Sequence, residues 1–369
     1  MSAESYKGRV GLQQRVLPSY RVPFIDHLAT RCKGGLSLFS GEPRPGEAIL
    51  AGVQPEAAVT QPARNRHLLS GSAYVCVQEG LLPWLESWNP DVLILEANPR
   101  YLANRAALQW MHARQRPVIG WALGAPPHKH WLSAPRRVLR RRFLLQFDAL
   151  IAYSSTGAGE YRAVGFPAER IYTAYNAVAP APGPYERTLI RPDRPLQVIF
   201  VGRLQERKRV DLLLRACADQ SVPLAVTIVG DGPAKDGLEA LASEVLPQAR
   251  FVGAQQGQAL RRLYQQADVF VLPGTGGLAI QEAMSFGLPV IVAEGDGTQQ
   301  DLVTPENGWL VLPGDISSLK QAIGEALSDR RRLEAMGRRS HELVASRFNI
   351  ERMADTFIAA ITAVLGESS

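Results

Sequence analysis

The chain lacks the features that mark several large classes of protein. Its 369 residues hold only three cysteines, Cys32, Cys76 and Cys217, scattered and odd in number. Such usage excludes a disulfide framework or a metal-ligand spacing and reads as three buried thiols in a reducing cytoplasm. No run of about 20 apolar residues is present to span a bilayer. The N-terminal MSAESYKGRV has no apolar core of the kind a secretory signal needs. There is no Asp-x-Asp pair to hold a metal, and no G-x-G-x-x-G after the first strand pattern, which argues against hydride chemistry. Low-complexity segments and short-period repeats are missing too.

What is present is the composition of a globular protein, 46% hydrophobic and 21% charged. The length exceeds the usual single core, so two domains are expected. A net charge of +6 and a pI near 9.3 favour anionic partners. The excess is concentrated in KHWLSAPRRVLRRR, where Lys129, Arg136, Arg137, Arg140, Arg141 and Arg142 have no acidic neighbour. Trp131 and several aliphatic residues are interleaved with them. A basic amphipathic segment with an interfacial Trp suits an anionic membrane surface. The alternative is a solvated helix whose apolar side packs on its own domain. No nucleic-acid reader motif accompanies the run, so nucleic acid is not expected as a partner.

Apolar runs alternate with helical patterns along most of the chain. RVGLQQ is a short strand, and a helix starts near Pro23, which is suited to a first turn. Gln13, Gln14, Arg15 and Arg21 then fall at the carboxyl end of the first strand, where open α/β sheets bind ligands. Residues 41–66 show no clear period and read as a long loop. DVLILEA, PVIGWALG and DALIAYS are buried-strand patterns, and the stretch 159–178 gives a helix, a turn and a strand reaching Asn176. Residues 179–196, rich in Pro and charge, read as an interdomain linker. Strand and helix then alternate cleanly to residue 349, and a last helix covers 350–365. The pattern predicts an α/β protein of two doubly wound sheets facing across a cleft, residues 1–180 and 196–349, with the last helix returning to the first domain.

The most informative stretch is VLPGTGGLAIQEAMSFGLPVI, residues 271–291. It reads as strand, glycine loop, helix and strand, one βαβ unit. Gly274, Gly276 and Gly277 allow a ligand close to the backbone. The N–H groups that open the helix at Leu278 favour an anion such as phosphate. Glu282, about one turn in, is placed to accept hydrogen bonds from hydroxyls beside that anion. Phosphate with a sugar hydroxyl beside it describes a nucleotide.

Four stretches together, VGRLQERKRVDLLLRA, VTIVGDGP, the one above and GDGTQQDLVTPENGWLV, resemble the retaining glycosyltransferases of family 4. The resemblance implies the GT-B fold, two Rossmann-like domains of which the first holds the acceptor and the second the donor. It implies that Arg203 and Lys208 grip the donor diphosphate, and fixed cations there stabilise the charge that builds on the leaving group. By the same resemblance Gly277 and Leu278 hold the outer phosphate, Glu282 binds the ribose, and the Val252–Gly253 backbone meets the base. It implies front-face transfer in which the leaving phosphate takes the acceptor's proton, with a nucleotide diphosphate sugar as co-substrate and no metal or other cofactor.

Two positions depart from the family. The first of its two glutamates falls where this chain has Gly274, and its usual first-domain histidine falls at Leu123, with His128 nearby as a candidate for the site. The expected function is transfer of a hexose to a saccharide, with a lipid-linked acceptor at the cytoplasmic membrane face and the basic segment as anchor. Two alternatives stand beside it. One is a non-catalytic GT-B subunit that supports an active partner, and the other is a nucleotide-sugar epimerase that needs no acceptor.

Overall fold

The computed structural model describes all residues except 1–4, 45, 48, 127–133, 187–193 and 367–369. The chain forms two compact units, residues 1–180 with 350–369, and residues 181–349.

The first unit runs β1 (Val10–Val16), α1 (Val22–Arg31), β2 (Leu36–Gly41), β3 (Val59–Leu68), β4 (Val75–Glu79) and α2 (Leu81–Trp88). It continues with β5 (Val92–Glu96), α3 (Ala103–His112), β6 (Val118–Ala122), α4 (Ala134–Leu144), β7 (Ala149–Ala152), α5 (Ser155–Ala163) and β8 (Ile171–Thr173). Among the described residues these strands make one sheet in the order β4-β3-β2-β1-β5-β6-β7-β8. Every neighbouring pair is parallel except β3 with β4.

Successive strand residues point to opposite faces, so uninterrupted apolar runs feed two cores. Val10, Leu12, Ile94, Ile119, Trp121 and Ile151 join α1 on one face. Leu93, Leu95, Val118 and Leu150 join α2, α3 and Phe143 on the other.

Residues 41–66 are not one long loop, because the last part of that stretch enters β3, which with β4 forms a hairpin at the sheet's edge. The first half of β3 pairs only with β2 and the second half only with β4. Pro62 is tolerated in the first half because that stretch has a free side. Most of the strand is exposed, so the alternation that marks a half-buried strand is missing. The strand expected to reach Asn176 ends at Thr173.

The second unit runs β9 (Leu196–Val201), α6 (Val210–Ala218), β10 (Leu224–Val229), α7 (Lys235–Val245), β11 (Arg250–Phe251) and α8 (Gly257–Gln266). It continues with β12 (Val269–Leu272), α9 (Leu278–Ser285), β13 (Val290–Ala293), α10 (Thr298–Leu302), β14 (Gly308–Val311), α11 (Ile316–Ser328) and α12 (Arg330–Ser346). Its parallel sheet has the order β11-β10-β9-β12-β13-β14.

Buried Asp268 fixes the start of this unit. It accepts hydrogen bonds from Arg194 at 2.7 Å and from the Gln197 N–H at 2.9 Å. The final helix, α13 (Ile350–Val364), belongs to the first unit. Its Phe357 packs edge-on against Phe24, with ring centroids 5.1 Å apart, and Trp121, at 4.9 Å. Arg31 pairs with Asp355 at 3.0 Å.

Candidate nucleotide site

In the second unit the chain winds outward from β9 through β10 to β11, then returns to β12 on the other side of β9. Loops leaving β9 and β12 must therefore part at their carboxyl ends, which makes the crevice where open parallel sheets bind ligands. The two loops that flank it are Gly202–Arg209 and Gly274–Gly277.

These loops are clasped together. The Thr275 N–H donates to the Arg207 carbonyl at 3.0 Å, and Lys208 Nζ donates to the Thr275 carbonyl at 2.6 Å. Arg207 Nη1 also reaches Thr275 Oγ1 at 3.2 Å. From the far side, Gln299 on α10 donates to the Gly276 carbonyl at 2.9 Å.

The clasp explains the glycines. A Cβ on Gly274 would overlap the Arg207 carbonyl and the Lys208 backbone, and one on Gly276, at φ +143°, would overlap Lys208 Nζ. A glutamate at position 274 has no room in this arrangement. The departure from the two-glutamate pattern is thus coupled to how near Lys208 lies.

The surrounding charges are arranged for an anion. Gly277 caps α9 without a side-chain hydrogen bond, and no acidic residue lies in the first turn, so nothing acidic opposes the positive end of the helix dipole. Arg203 is exposed and without an ion pair among the described residues. Arg209, left-handed at φ +53°, is instead tied to Asp211 at 2.9 and 3.0 Å. Burial, with Arg207 nearby, lowers the Lys208 ammonium to about 8.

Glu282 is half-buried on α9. Burial raises its carboxyl above the usual range, partly opposed by a hydrogen bond from Tyr264 Oη at 3.3 Å. Val252 and Gly253 sit at the end of β11, where the Gly253 carbonyl accepts the Gly230 N–H at 2.8 Å. The structure therefore joins Lys208, Gly274, Gly276 and the start of α9 directly, and it adds Thr275 and Gln299. Gln299 lies in the GDGTQQ stretch, but its contact with Gly276 crosses 23 residues and carries no local signal.

The first unit fills its corresponding crevice, between β1 and β5, with its own side chains. Half-buried Glu96 accepts the Arg15 N–H, and its own N–H donates to Gln13 Oε1 at 3.0 Å. Gln13 also donates to Gln78, which donates to the Gln14 carbonyl at 3.1 Å. Arg21 is buried, its guanidinium 4.4 Å from the Trp121 ring centroid and 4.9 Å from that of Tyr153. Arg15 pairs with Glu47 at 2.9 Å. Despite the desolvation that opposes ionisation, Arg15 and Arg44 hold Glu47 down to about 2.

Of the residues expected as ligand contacts, Gln13 and Arg15 thus join an internal network, whereas among the described residues buried Gln14 Oε1 and Arg21 Nη1 have no hydrogen-bond partner. The network forms because β1 is central and the half-buried Glu96 carboxylate at the end of neighbouring β5 needs partners.

Of the basic segment, His128 and Trp131 lie outside the described residues. On α4, Arg136 and Arg137 are exposed together with Val138 and Leu139, while Phe143 and Leu144 enter the core. Arg140 and Arg141 bind their own unit through the carbonyls of Pro126 at 2.7 Å and Val164 at 3.0 Å. No group of three or more His, Cys, Asp or Glu fit for a metal occurs among the described residues. No described helix is long and apolar enough to cross a membrane.

Comparison with known proteins fits these observations. Overall, the chain superposes on the crystal structure of Anabaena HepE in complex with UDP with a TM-score of 0.73 and 17% identity, covering 96% of this chain and all of the other. Its fold is the GT-B fold, with two Rossmann-like domains.

The profile of glycosyl transferases group 1 matches residues 185–343, the greater part of the second unit. A sulfoquinovosyl transferase of Arabidopsis thaliana is 36% identical over 159 residues, 41% of this chain and 30% of that protein. A GDP-mannose-dependent alpha-mannosyltransferase of Mycolicibacterium smegmatis is 37% identical over 188 residues, 50% of this chain and 47% of that protein. The matched segments thus span less than half the length of these two relatives.

The Lys208 ammonium sets a pH dependence. A bound diphosphate favours the protonated lysine, so affinity is full below about pH 8 and falls as pH rises through that value. Calorimetric titration with UDP and GDP should find roughly tenfold weaker binding at pH 9 than at pH 7 for whichever binds, following proton linkage. An affinity flat across this range rules Lys208 out as a phosphate ligand.

Proposed function

We propose that the chain is a glycosyltransferase that moves a hexose from a nucleotide diphosphate sugar to a saccharide acceptor. The observation that carries the reading is the clasp between the loops after β9 and β12. It places Lys208 against the glycine loop at the uncapped start of α9.

In this reading the second unit binds the donor. Its outer phosphate lies at the N–H groups of Gly277 and Leu278, beside Lys208 and Arg203. Glu282 accepts from the ribose hydroxyls, and the Val252–Gly253 backbone meets the base. As the bond from the sugar's anomeric carbon to phosphate breaks, charge grows on the leaving diphosphate, and the two cations stabilise it. An acceptor hydroxyl forms the new glycosidic bond from the same face, and its proton passes to the leaving phosphate, which gives retention. The relatives named for mannosyl and sulfoquinovosyl transfer, and the neighbour solved with UDP, support a nucleotide-sugar donor.

The first unit receives the acceptor, a lipid-linked saccharide in glycan biosynthesis. Arg136, Arg137, Val138 and Leu139 on α4 meet an anionic membrane surface on its cytoplasmic side, where cations and exposed aliphatic side chains act together.

A thermal-shift screen of UDP, GDP and their sugars tests the donor site. One nucleotide should stabilise the wild type by roughly 2.7 kcal/mol at a hundred times its dissociation constant. Arg203→Ala and Glu282→Ala should each lose most of that shift. In the same preparation, vesicles carrying anionic lipid should sediment the protein, and Arg136→Glu with Arg137→Glu should release it. If no nucleotide stabilises the wild type, the enzyme reading is wrong and a supporting subunit becomes the better account.

A further inference from the structure

Tyr264 is a large side chain in α8 with no place in the site as matched to the family. It is 0% exposed, and its ring stacks on Phe286 at the end of α9, with centroids 5.1 Å apart and planes 13° from parallel. Arg261, one turn earlier on α8, lies over the other ring of that stack, 5.5 Å from the Phe286 centroid. Packing alone would be satisfied by phenylalanine. The hydroxyl is what calls for explanation, because a buried phenol needs a partner, and here the partner is Glu282 Oε2 at 3.3 Å. Among the described residues Tyr264 is the one side chain that hydrogen-bonds that carboxylate.

We propose that Tyr264 is a positioning residue for nucleotide recognition: by donating to one oxygen of Glu282 it turns the other toward the ribose hydroxyls. The inference rests on the donor-site reading above and extends it to a residue outside the matched motifs. Glutamate has three rotatable bonds, and a half-buried carboxylate left alone samples several rotamers. Fixing one of its oxygens leaves the second with a defined direction, so the ordering cost is met before the ligand arrives.

The arrangement also divides the labour of the two helices. α9 carries the carboxylate behind the glycine loop, and α8 supplies the brace from the side. The stack of Tyr264 on Phe286 fixes where the phenol oxygen can lie, since the ring has no freedom to swing within it. Burial raises both the Tyr264 phenol and the Glu282 carboxyl, so the phenol stays a donor throughout the working pH range.

The test compares the nucleoside diphosphate that binds with its 2′,3′-dideoxy counterpart, UDP against dideoxy-UDP or GDP against dideoxy-GDP, by calorimetry. Wild type should prefer the ribose form, and Glu282→Ala should abolish that preference. Tyr264→Phe keeps the ring and its stack, so its melting temperature without ligand should stay close to wild type. Its ribose preference should fall by roughly fivefold, the scale of one ordinary hydrogen bond, with dideoxy affinity unchanged. In a Glu282→Ala background, Tyr264→Phe should change nothing further, because it acts through the carboxylate.

An unaltered ribose preference in Tyr264→Phe would overturn the inference and leave the donor-site reading intact. So would equal loss of both nucleotides, which marks a packing role. A wild type that binds nucleotide without preferring ribose overturns the role of Glu282 and this inference together. A wild type that binds neither nucleotide overturns the donor-site reading itself.

Discussion

The hydrogen bond from Lys208 to the Thr275 carbonyl is the contact on which the second unit's site depends. It joins two loops that leave neighbouring strands in opposite directions, and it holds a cation over backbone that carries no negative side chain. The opposing Thr275 N–H to Arg207 bond makes the junction two-ended, so neither loop moves without the other. Gln299 braces the same short segment from α10. Two loops and α10 thus meet through Arg207, Lys208, Thr275, Gly276 and Gln299 at the point where the sheet order reverses.

The glycines follow from that closeness. Gly274 and Gly276 are small because Lys208 and the backbone before it occupy the space their side chains would take. This reverses the order of explanation suggested by the sequence, in which the missing glutamate at 274 looked like a loss. In the folded chain the position is buried against the Arg207–Lys208 backbone, where a side chain has no room. The first unit makes the opposite choice at its own crevice. Glu96, Gln13, Gln78 and Arg15 satisfy one another there, and the buried guanidinium of Arg21 lies against aromatic rings.

Legibility in the sequence followed burial. The parallel strands were visible because both their faces are covered, which writes them as unbroken apolar runs. β3 was not, because it is exposed, holds Pro62 and borrows a different neighbour for each half. The glycine loop and its helix were visible because their signals lie within a few residues. The lysine clasp joins residues 67 apart, and the Tyr264–Glu282 bond spans two helices, so neither leaves a local pattern. The polar residues of β1 suggested a ligand by their position toward a strand's carboxyl end, and the bonds that tie Gln13 and the Arg15 N–H to Glu96 cross more than 80 residues and leave no local pattern.

The account stands or falls on whether the clasped loops hold the outer phosphate of a nucleotide. The direct measurement is calorimetric affinity for a nucleoside diphosphate against the matching monophosphate, in wild type and in Lys208→Ala. The account predicts that wild type prefers the diphosphate by roughly tenfold or more, the scale of a charge-assisted contact, and that Lys208→Ala nearly erases the preference while still binding the monophosphate. Equal affinity for the two nucleotides in wild type would contradict it.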